Sequence, residues 1–309
     1  MAMDRRQFLK SAAVAAAGTA VAVKFPKTAM AAAKAASGAK KTPDMAAVRG
    51  GEPVPMFRKG IEALGGMQAF VKPGQSVAIK PNASFDATPE YAANTNPELV
   101  GEIVRQCLAA GASRVIVFDH TLNNWRSAYR SSGIEAAVRA AGGVMLPANE
   151  ERDYEPQSRS QAGAMREAKV FRPCLESDVV INVPVLKNHG GTKMTSAIKN
   201  LMGTVWDRRI MHRNNLPQSI ADGVLYVKPQ LNVVDAYRVM TANGPRGVSL
   251  DDVELMRHQI ISTDIVAADV ASARLMRYRI RDIPYIEAAE RLGLGTSNLD
   301  KLDIVRLEV

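Results

Sequence analysis

The chain has 309 residues, 47% hydrophobic and 23% charged, which is ordinary for a globular protein of one large or two modest domains. The formal net charge is +9, but residues 1–31 hold five Lys/Arg and one Asp, so the remainder carries +9 − 4 = +5, which indicates a solvated surface rather than a nucleic-acid partner. The two cysteines, Cys107 and Cys174, are too few to hold an iron–sulfur cluster or a four-ligand zinc site, and their apolar neighbours favour buried thiols over a disulfide.

The N-terminus has the layout of a secretory signal. The run DRRQFLK (4–10) resembles the twin-arginine signal, an Ala/Val-rich stretch follows, and small residues mark a cleavage site after Ala31. This predicts a signal peptide at 1–31, recognised by the twin-arginine export machinery, and a periplasmic protein. A signal retained as an anchor is the alternative. No later segment approaches the roughly 20 apolar residues of a membrane span, so none is expected in the mature form.

Residues 32–52 are rich in Ala, Lys and Gly and predict a flexible linker. The folded part, a single α/β domain, is then expected at 53–309.

The body alternates strand-like and helix-like segments. Runs of β-formers predict strands at 76–80, 114–119, 144–147, 169–172, 178–186, 231–239, 253–263 and 302–309. Capped amphipathic stretches predict helices at 96–112, 131–143, 195–203, 218–227, 264–276 and 283–293. Because the strands are apolar along their whole length, we expect an α/β fold with a mostly parallel sheet and helices on both faces (Rossmann-like). The polar stretch 147–168 predicts a small excursion or hairpin.

In such sheets ligands bind beyond the carboxyl ends of the strands. The segment 187–200 has the densest chemistry at such an end. Gly190 and Gly191 allow a tight turn, Thr192 or Thr195 can cap the next helix, and free N–H groups at a helix start attract anions. The alternative is a plain strand–turn–helix whose lysines face water.

Several segments resemble the bacterial and archaeal family of domain of unknown function 362. They are VAIKPN (77–82), VINVPVLKNHGGTKMTSAIKNLMG (180–203), IADGVLYVKPQLNVVDAYRVM (220–240), NGPRG (243–247) and STDIVAADVASARLM (262–276). The resemblance implies the fold and supports a site at 187–200, but names no reaction. Some members carry ferredoxin-like clusters in an attached region, which implies a periplasmic electron carrier as a possible partner. This chain lacks the cysteines for a cluster of its own.

Two other strand ends carry polar residues. Lys80 and Asn82 follow the first predicted strand, either as ligand contacts or as a Pro-Asn turn. Asp119-His120-Thr121 resembles the Asp-His-Thr step of nickel-dependent lactate racemases, in which an arginine follows, whereas Leu122 stands here.

A basic loop at 206–215, containing Arg208 and His212, can form a lid over an acidic ligand or a solvated surface.

Carboxylates in the family-matched segments are weak candidates for a divalent metal: Asp222, Asp235 and Asp269. Asp235 lies on an apolar strand, so it needs a partner in any case.

The sequence thus predicts an exported α/β protein that binds an anionic small molecule or cofactor, with enzyme activity uncertain. The expected catalytic residues are His189, His212 and Lys199. The expected ligand-binding residues are Lys80, Asn82, Asp119, Lys187, Gly190, Gly191, Thr192 and Asn200. The alternatives are a redox accessory protein associated with an iron–sulfur partner, and a binding protein without catalysis.

Overall fold

A ten-stranded mixed sheet runs through residues 42–309, the part of the chain that the computed structural model describes. The strands are β1 Met45–Arg49, β2 Ser76–Pro81, β3 Arg114–Asp119, β4 Val144–Pro147, β5 Tyr154–Ser158, β6 Glu167–Phe171, β7 Val179–Val183, β8 Val185–His189, β9 Lys193–Thr195, β10 Leu231–Met240, β11 Val253–Ser262 and β12 Ile304–Glu308. The helices are α1 Pro53–Ala63, α2 Pro97–Ala109, α3 Trp125–Ser131, α4 Ile134–Ala140, α5 Arg172–Leu175, α6 Ala197–Asn200, α7 Arg208–Arg213, α8 Leu216–Tyr226, α9 Ile265–Leu275 and α10 Pro284–Arg291.

The sheet has the order β12-β1-β11-β10-β7-β2-β3-β4, and β8 and β9 continue from β10 off this path. Strands β10, β7, β2, β3 and β4 run parallel, whereas β11 is antiparallel to both of its neighbours. The parallel strands therefore end together at one edge, where their loops meet.

Alternate side chains of the central strands enter two apolar layers. Val77 and Ile79 of β2 pack in the layer that contains α1 to α4, whereas Ala78 packs in the layer that contains α6, α8, α9 and α10. Burying a side chain such as Ile79 contributes about 1.5–3 kcal/mol. The predicted mostly parallel sheet with helices on both faces is confirmed.

Two predicted elements are divided. The strand at 178–186 breaks at Pro184, which has no N–H for the ladder, so β7 pairs with β2 and β10 while β8 pairs with β10 and β9. The helix at 195–203 is wrong as a single element. Strand β9 comes first, followed by the short α6 and a 3₁₀ turn at Leu201–Thr204. The polar excursion is an antiparallel hairpin, β5 with β6.

The predicted linker 32–52 is wrong over its described end. Strand β1 lies between β11 and β12, and its Met45, Ala46 and Val48 are buried. Its Ala-rich composition continues that of the preceding residues, so only its pairing with distant strands reveals it. The signal peptide at 1–31 and the start of the linker lie outside the described residues. Within residues 42–309 every helix is too short or too polar to cross a bilayer.

Candidate functional site

The carboxyl ends of β2, β3 and β8 surround one cavity of about 400 Å³, which the segment from α6 to α7 borders on another side. Its lining includes eight residues that the sequence predicted as site residues: Lys80, Asn82, Asp119, Lys187, His189, Lys199, Asn200 and His212. Residues that are up to 132 positions apart in the chain thus share one site, because parallel strands end at the same edge of a sheet.

Lys80 and Asp119 form a buried ion pair across adjacent strands. Lys80 Nζ lies 2.8 Å from Asp119 Oδ1, and both side chains are 1% exposed. Burial lowers the pKa of Lys80, and the Asp119 carboxylate opposes that shift. The other oxygen, Asp119 Oδ2, accepts hydrogen bonds from Ala83 N at 2.8 Å and Ser84 Oγ at 2.9 Å. Oδ2 is therefore satisfied by hydrogen bonds, whereas Oδ1 has the Lys80 charge beside it and no hydrogen bond of regular geometry within residues 42–309.

Gly203 makes room for this pair. A Cβ at this position would lie 2.9 Å from Lys80 Nζ and closer still to Asp119 Oδ1. Only a residue without a side chain lets the 3₁₀ turn approach the pair. From the sequence, Gly203 is predicted only as the last residue of a helix, whereas the structure shows that it leaves room for the ion pair.

Lys187 is buried without a carboxylate partner in the described part of the chain. Its Nζ donates to Ala93 O and, at 3.4 Å, to Asn82 Oδ1, and it lies 4.6 Å from the centre of the Phe85 ring. Burial, together with the nearby Lys199 charge, lowers the pKa of Lys187 well below its ordinary value.

Asn200 ties these strand ends together. Its Nδ2 donates to Lys80 O at 3.0 Å and to Asn182 Oδ1 at 2.9 Å, while its Oδ1 accepts from Lys80 Nζ at 3.3 Å and from Asn82 Nδ2 at 3.4 Å. Helix α6 is thereby held against β2, which fixes the neighbouring Lys199 at the cavity.

Lys199 is half-buried and makes no hydrogen bond or ion pair with any residue of the range 42–309. Burial, followed by the charges of Arg208 and Lys80, lowers its pKa to about 8. Arg208 of α7 also lines the cavity, and its Nη2 donates to Thr121 O at 3.2 Å. Burial lowers the pKa of Arg208, while Asp119 raises it.

His189 and His120 both engage Nδ1 within the protein and leave Nε2 available, in opposite protonation states. His189 Nδ1 accepts from Gly191 N at 3.1 Å, so a neutral ring carries its proton on Nε2. His120 Nδ1 lies 3.1 Å from Val205 O and must donate to it, which leaves Nε2 unprotonated. Burial is the main cause that lowers the pKa of His189 to about 3 and that of His120 to about 4. Both rings are therefore neutral at pH 7. The ring of His120 also stacks on Trp206, with centres 5.0 Å apart.

His212 lies on α7 and is exposed at the edge of the cavity. Burial and the charges of Lys199 and Arg208 lower its pKa. The predicted basic loop thus contains a short helix that brings Arg208 and His212 to the site.

Gly190, Gly191 and Thr192 do not line the cavity. They form the turn of the β8–β9 hairpin, in which His189 pairs with Lys193. The prediction that these residues form an anion-binding site at the start of a helix is therefore wrong. The first N–H groups of α6, Ala197 N and Ile198 N, instead donate to Asp269 Oδ1 at 2.6 and 3.4 Å. The protein's own carboxylate occupies that helix start.

Thr195 lines the cavity, and the N-cap position of α6 is taken by Ser196 rather than by Thr195. It is 3% exposed, and its Oγ1 has no hydrogen-bond partner within residues 42–309. A buried hydroxyl without a partner is costly, so it is suited to bind a ligand.

The three carboxylates that the sequence suggested as metal ligands accept hydrogen bonds from backbone N–H groups in three separate parts of the fold. Asp222 accepts from the N–H groups of residues 163–165, Asp235 from Asn96 N and Tyr237 N, and Asp269 from the start of α6. Within residues 42–309 no three His, Cys, Asp or Glu side chains form a group suited to a metal ion. These three candidates therefore do not form a common site.

Both cysteines are buried and free, as predicted. Burial raises the pKa of each thiol to about 12, so neither is reactive near neutral pH.

Similarity to known proteins adds to this geometry. The model of the family described as "Domain of unknown function (DUF362)" matches residues 77–274, about two thirds of the chain, and that of the twin-arginine translocation signal matches residues 2–22. A thylakoid-associated protein of Synechocystis sp. is 27% identical over 247 residues, 77% of this chain and 74% of that protein. The signal match confirms the predicted export across the cytoplasmic membrane to the periplasm.

Two solved structures match parts of the chain. Lactate racemase apoprotein from Thermoanaerobacterium thermosaccharolyticum has a TM-score of 0.50 at 10% identity, covering 76% of this chain and 57% of that one. A protein from Thermotoga maritima has a TM-score of 0.40 at 11% identity, covering 79% and 60%. The chain thus spans about three fifths of both structures. At this identity the first likeness shows the α/β fold alone.

Proposed function

We propose that this exported chain, which belongs to the DUF362 family, binds a small anionic molecule in the cavity at its strand ends. The observation that supports this proposal most directly is an excess of positive charge around that cavity. Five basic residues line it, against two carboxylates, the buried Asp119 and the half-buried Asp207. The basic residues are Lys80, Lys187, Lys199, Arg208 and Arg209.

This imbalance is costly in the free protein. Charges inside a protein lose hydration, and they are tolerated when a partner of opposite sign restores the lost interaction. The lowered pKa values of Lys80, Lys187 and Lys199 express that cost, since burial is the largest cause in each. A bound anion would supply the missing negative charge and favour the charged lysines.

The size and polarity of the cavity match a small ligand. Its volume of about 400 Å³ lies in the range of small-molecule sites. The Nε2–H of His189, the Thr195 hydroxyl and the unused guanidinium donors of Arg208 supply directional hydrogen bonds beside the charges. Such donors recognise carboxylate or phosphate oxygens.

The proposal is tested on the mature exported protein with inorganic phosphate, citrate and pyruvate as probes, by thermal shift and calorimetry. Replacing Lys187 or Lys199 by methionine should weaken the binding of the anions that bind by about ten-fold, or about 1.4 kcal/mol. Lys228→Met removes an exposed lysine outside the cavity and serves as the control. If every anion-induced shift survives both cavity variants, the ligand binds elsewhere.

The redox-accessory alternative, with a periplasmic electron carrier as partner, stays a prediction, as does a binding protein without catalysis. A binding protein without catalysis would bind one of the probe anions but would leave it chemically unchanged, which distinguishes it from an enzyme.

A further inference from the structure

We infer that Lys199 is a nucleophilic amine that forms an imine with a small oxo-carboxylate held in the cavity. This inference rests on the proposed anion binding and adds a substrate class to it. The carboxylate group would be the anion that the site attracts, and the carbonyl carbon would be the atom that Lys199 attacks.

Lys199 differs from the other two lysines at the cavity in its partners. Lys80 is paired with Asp119 at 2.8 Å, and Lys187 donates to a backbone carbonyl and to Asn82. Both nitrogens are therefore engaged. Lys199 Nζ has no hydrogen bond or ion pair with any described residue, although its side chain is half-buried and lines the cavity. Its nitrogen is free to meet a ligand.

The surroundings of Lys199 also favour the amine over the ammonium form. A neighbouring cation and loss of hydration both penalise a second positive charge, and lysines activated in this way act as nucleophiles. With a pKa of about 8, about one Lys199 in ten is neutral at pH 7, compared with about one in three thousand for an ordinary lysine at 10.5.

The other parts of the reaction lie around the same cavity. Arg208 has guanidinium donors left over for a carboxylate, because only Nη2 is engaged, on Thr121 O. His120 keeps Nε2 as the nitrogen able to exchange a proton, because Nδ1 is bound to Val205 O. An oxo acid of two to five carbons places its carboxylate and carbonyl close together and fits a cavity of about 400 Å³.

The chemistry needs no further reactant. The Lys199 nitrogen forms a bond to the carbonyl carbon while the C=O electron pair moves to oxygen, and one proton passes from nitrogen to that oxygen. The carbon–oxygen bond of this carbinolamine then breaks. The oxygen leaves with a second proton from nitrogen as water, so amine plus carbonyl gives imine plus water.

Reductive trapping tests this inference. The mature protein is incubated with glyoxylate, pyruvate or 2-oxoglutarate and sodium cyanoborohydride, and adducts are located by peptide mass spectrometry. We expect one adduct per chain, on Lys199, with a yield that rises as the pH increases through about 8. In Lys199→Arg the adduct should be lost, because arginine keeps the positive charge and removes the nucleophile. Lys228→Arg should retain it.

Anion binding and imine formation are measured in separate experiments. Propanoate and glutarate, which lack the carbonyl, report anion binding by thermal shift. If these acids and the oxo acids bind but no oxo acid gives an adduct on Lys199, the imine is excluded while the anion proposal stands. Adducts confined to surface lysines also exclude it. If no anion binds and no adduct forms, both proposals fail. Because mapping uses the unmutated protein, the result does not depend on the folding of a variant.

Discussion

Two sets of buried charges in this molecule are treated in opposite ways. The carboxylates of Asp222, Asp235 and Asp269 each accept hydrogen bonds from backbone N–H groups that the fold itself brings to them. Of the cavity cations, Lys187 has only uncharged partners and Lys199 has none within residues 42–309. Burial penalises the carboxylates too, since it raises the pKa of Asp235 to about 6 and that of Asp269 to about 7. Donors of the protein itself offset that cost for the carboxylates, whereas for the lysines a ligand can offset it. Burial alone does not distinguish these roles, and the partners do.

The largest expected effect tests the carboxylate side of this comparison. Asp222 is fully buried, and it accepts from Ala164 N at 2.7 Å, from Met165 N at 2.8 Å and from Gln218 Nε2 at 2.9 Å. Asp222→Ala leaves several buried donors unpaired, so it should lower the free energy of unfolding by about 3–5 kcal/mol. Urea unfolding measures this loss.

Asp282→Ala removes a carboxylate from an exposed ion pair with Arg279 and is the control. It should change the urea midpoint little, because exposed pairs contribute little. Folded Asp222→Ala protein should bind anions with unchanged affinity. Equal midpoints for the two variants would contradict the structural role of Asp222.

A matched pair of glycines sharpens the comparison at the cavity. Gly203→Ala places a Cβ against Lys80 and Asp119, which should cost about 1–3 kcal/mol of stability and weaken anion binding. Gly190→Ala lies in the hairpin turn, where the nearest atom to a new Cβ is Gly244 O at 4.0 Å. It should change neither stability nor affinity. Urea unfolding and calorimetry with the probe anions compare the two, and a similar loss of affinity in both would mean that the hairpin turn takes part in binding.

The difference between these glycines also shows what the sequence could predict. Strand ends at Lys80, Asp119 and Lys187 follow from apolar runs and from the rule that parallel strands end together, so their convergence was predictable. The sequence pointed to Gly190 as a site residue rather than to Gly203, because a glycine pair after a strand is recognisable from the local sequence alone. The need for Gly203 comes from an ion pair between residues that lie more than 80 positions earlier in the chain.

Other parts of the fold were hidden for the same reason. Strand β1 has a composition like that of the preceding segment, and its identity depends on pairing with β11 and β12. The sequence predicted that the N–H groups at the start of this helical segment bind an external anion. A local pattern does not reveal that Asp269, 72 positions away from Ala197, already accepts hydrogen bonds from the start of α6.

The most direct test of the lysine side is the pH dependence of stability due to Lys199. Its pKa is about 8 in the folded protein and near 10.5 in the unfolded chain. Between these values the unfolded chain binds more protons, so this lysine makes the free energy of unfolding rise with pH across that window. Below pH 8 Lys199 is charged in both the folded and the unfolded chain, so the cost of burying its charge is fully present.

In Lys199→Met this cost is absent at every pH. The variant should therefore be more stable than the parent at pH 7, by an amount that shrinks as the pH approaches 10 in urea titrations without ligand. A saturating anion at pH 7 should also shrink the gap, because it binds the charged parent more tightly. A gap that stays constant from pH 7 to 10 would mean that Lys199 is solvated like a surface lysine, and the contrast with the buried carboxylates would then rest on Lys187 alone.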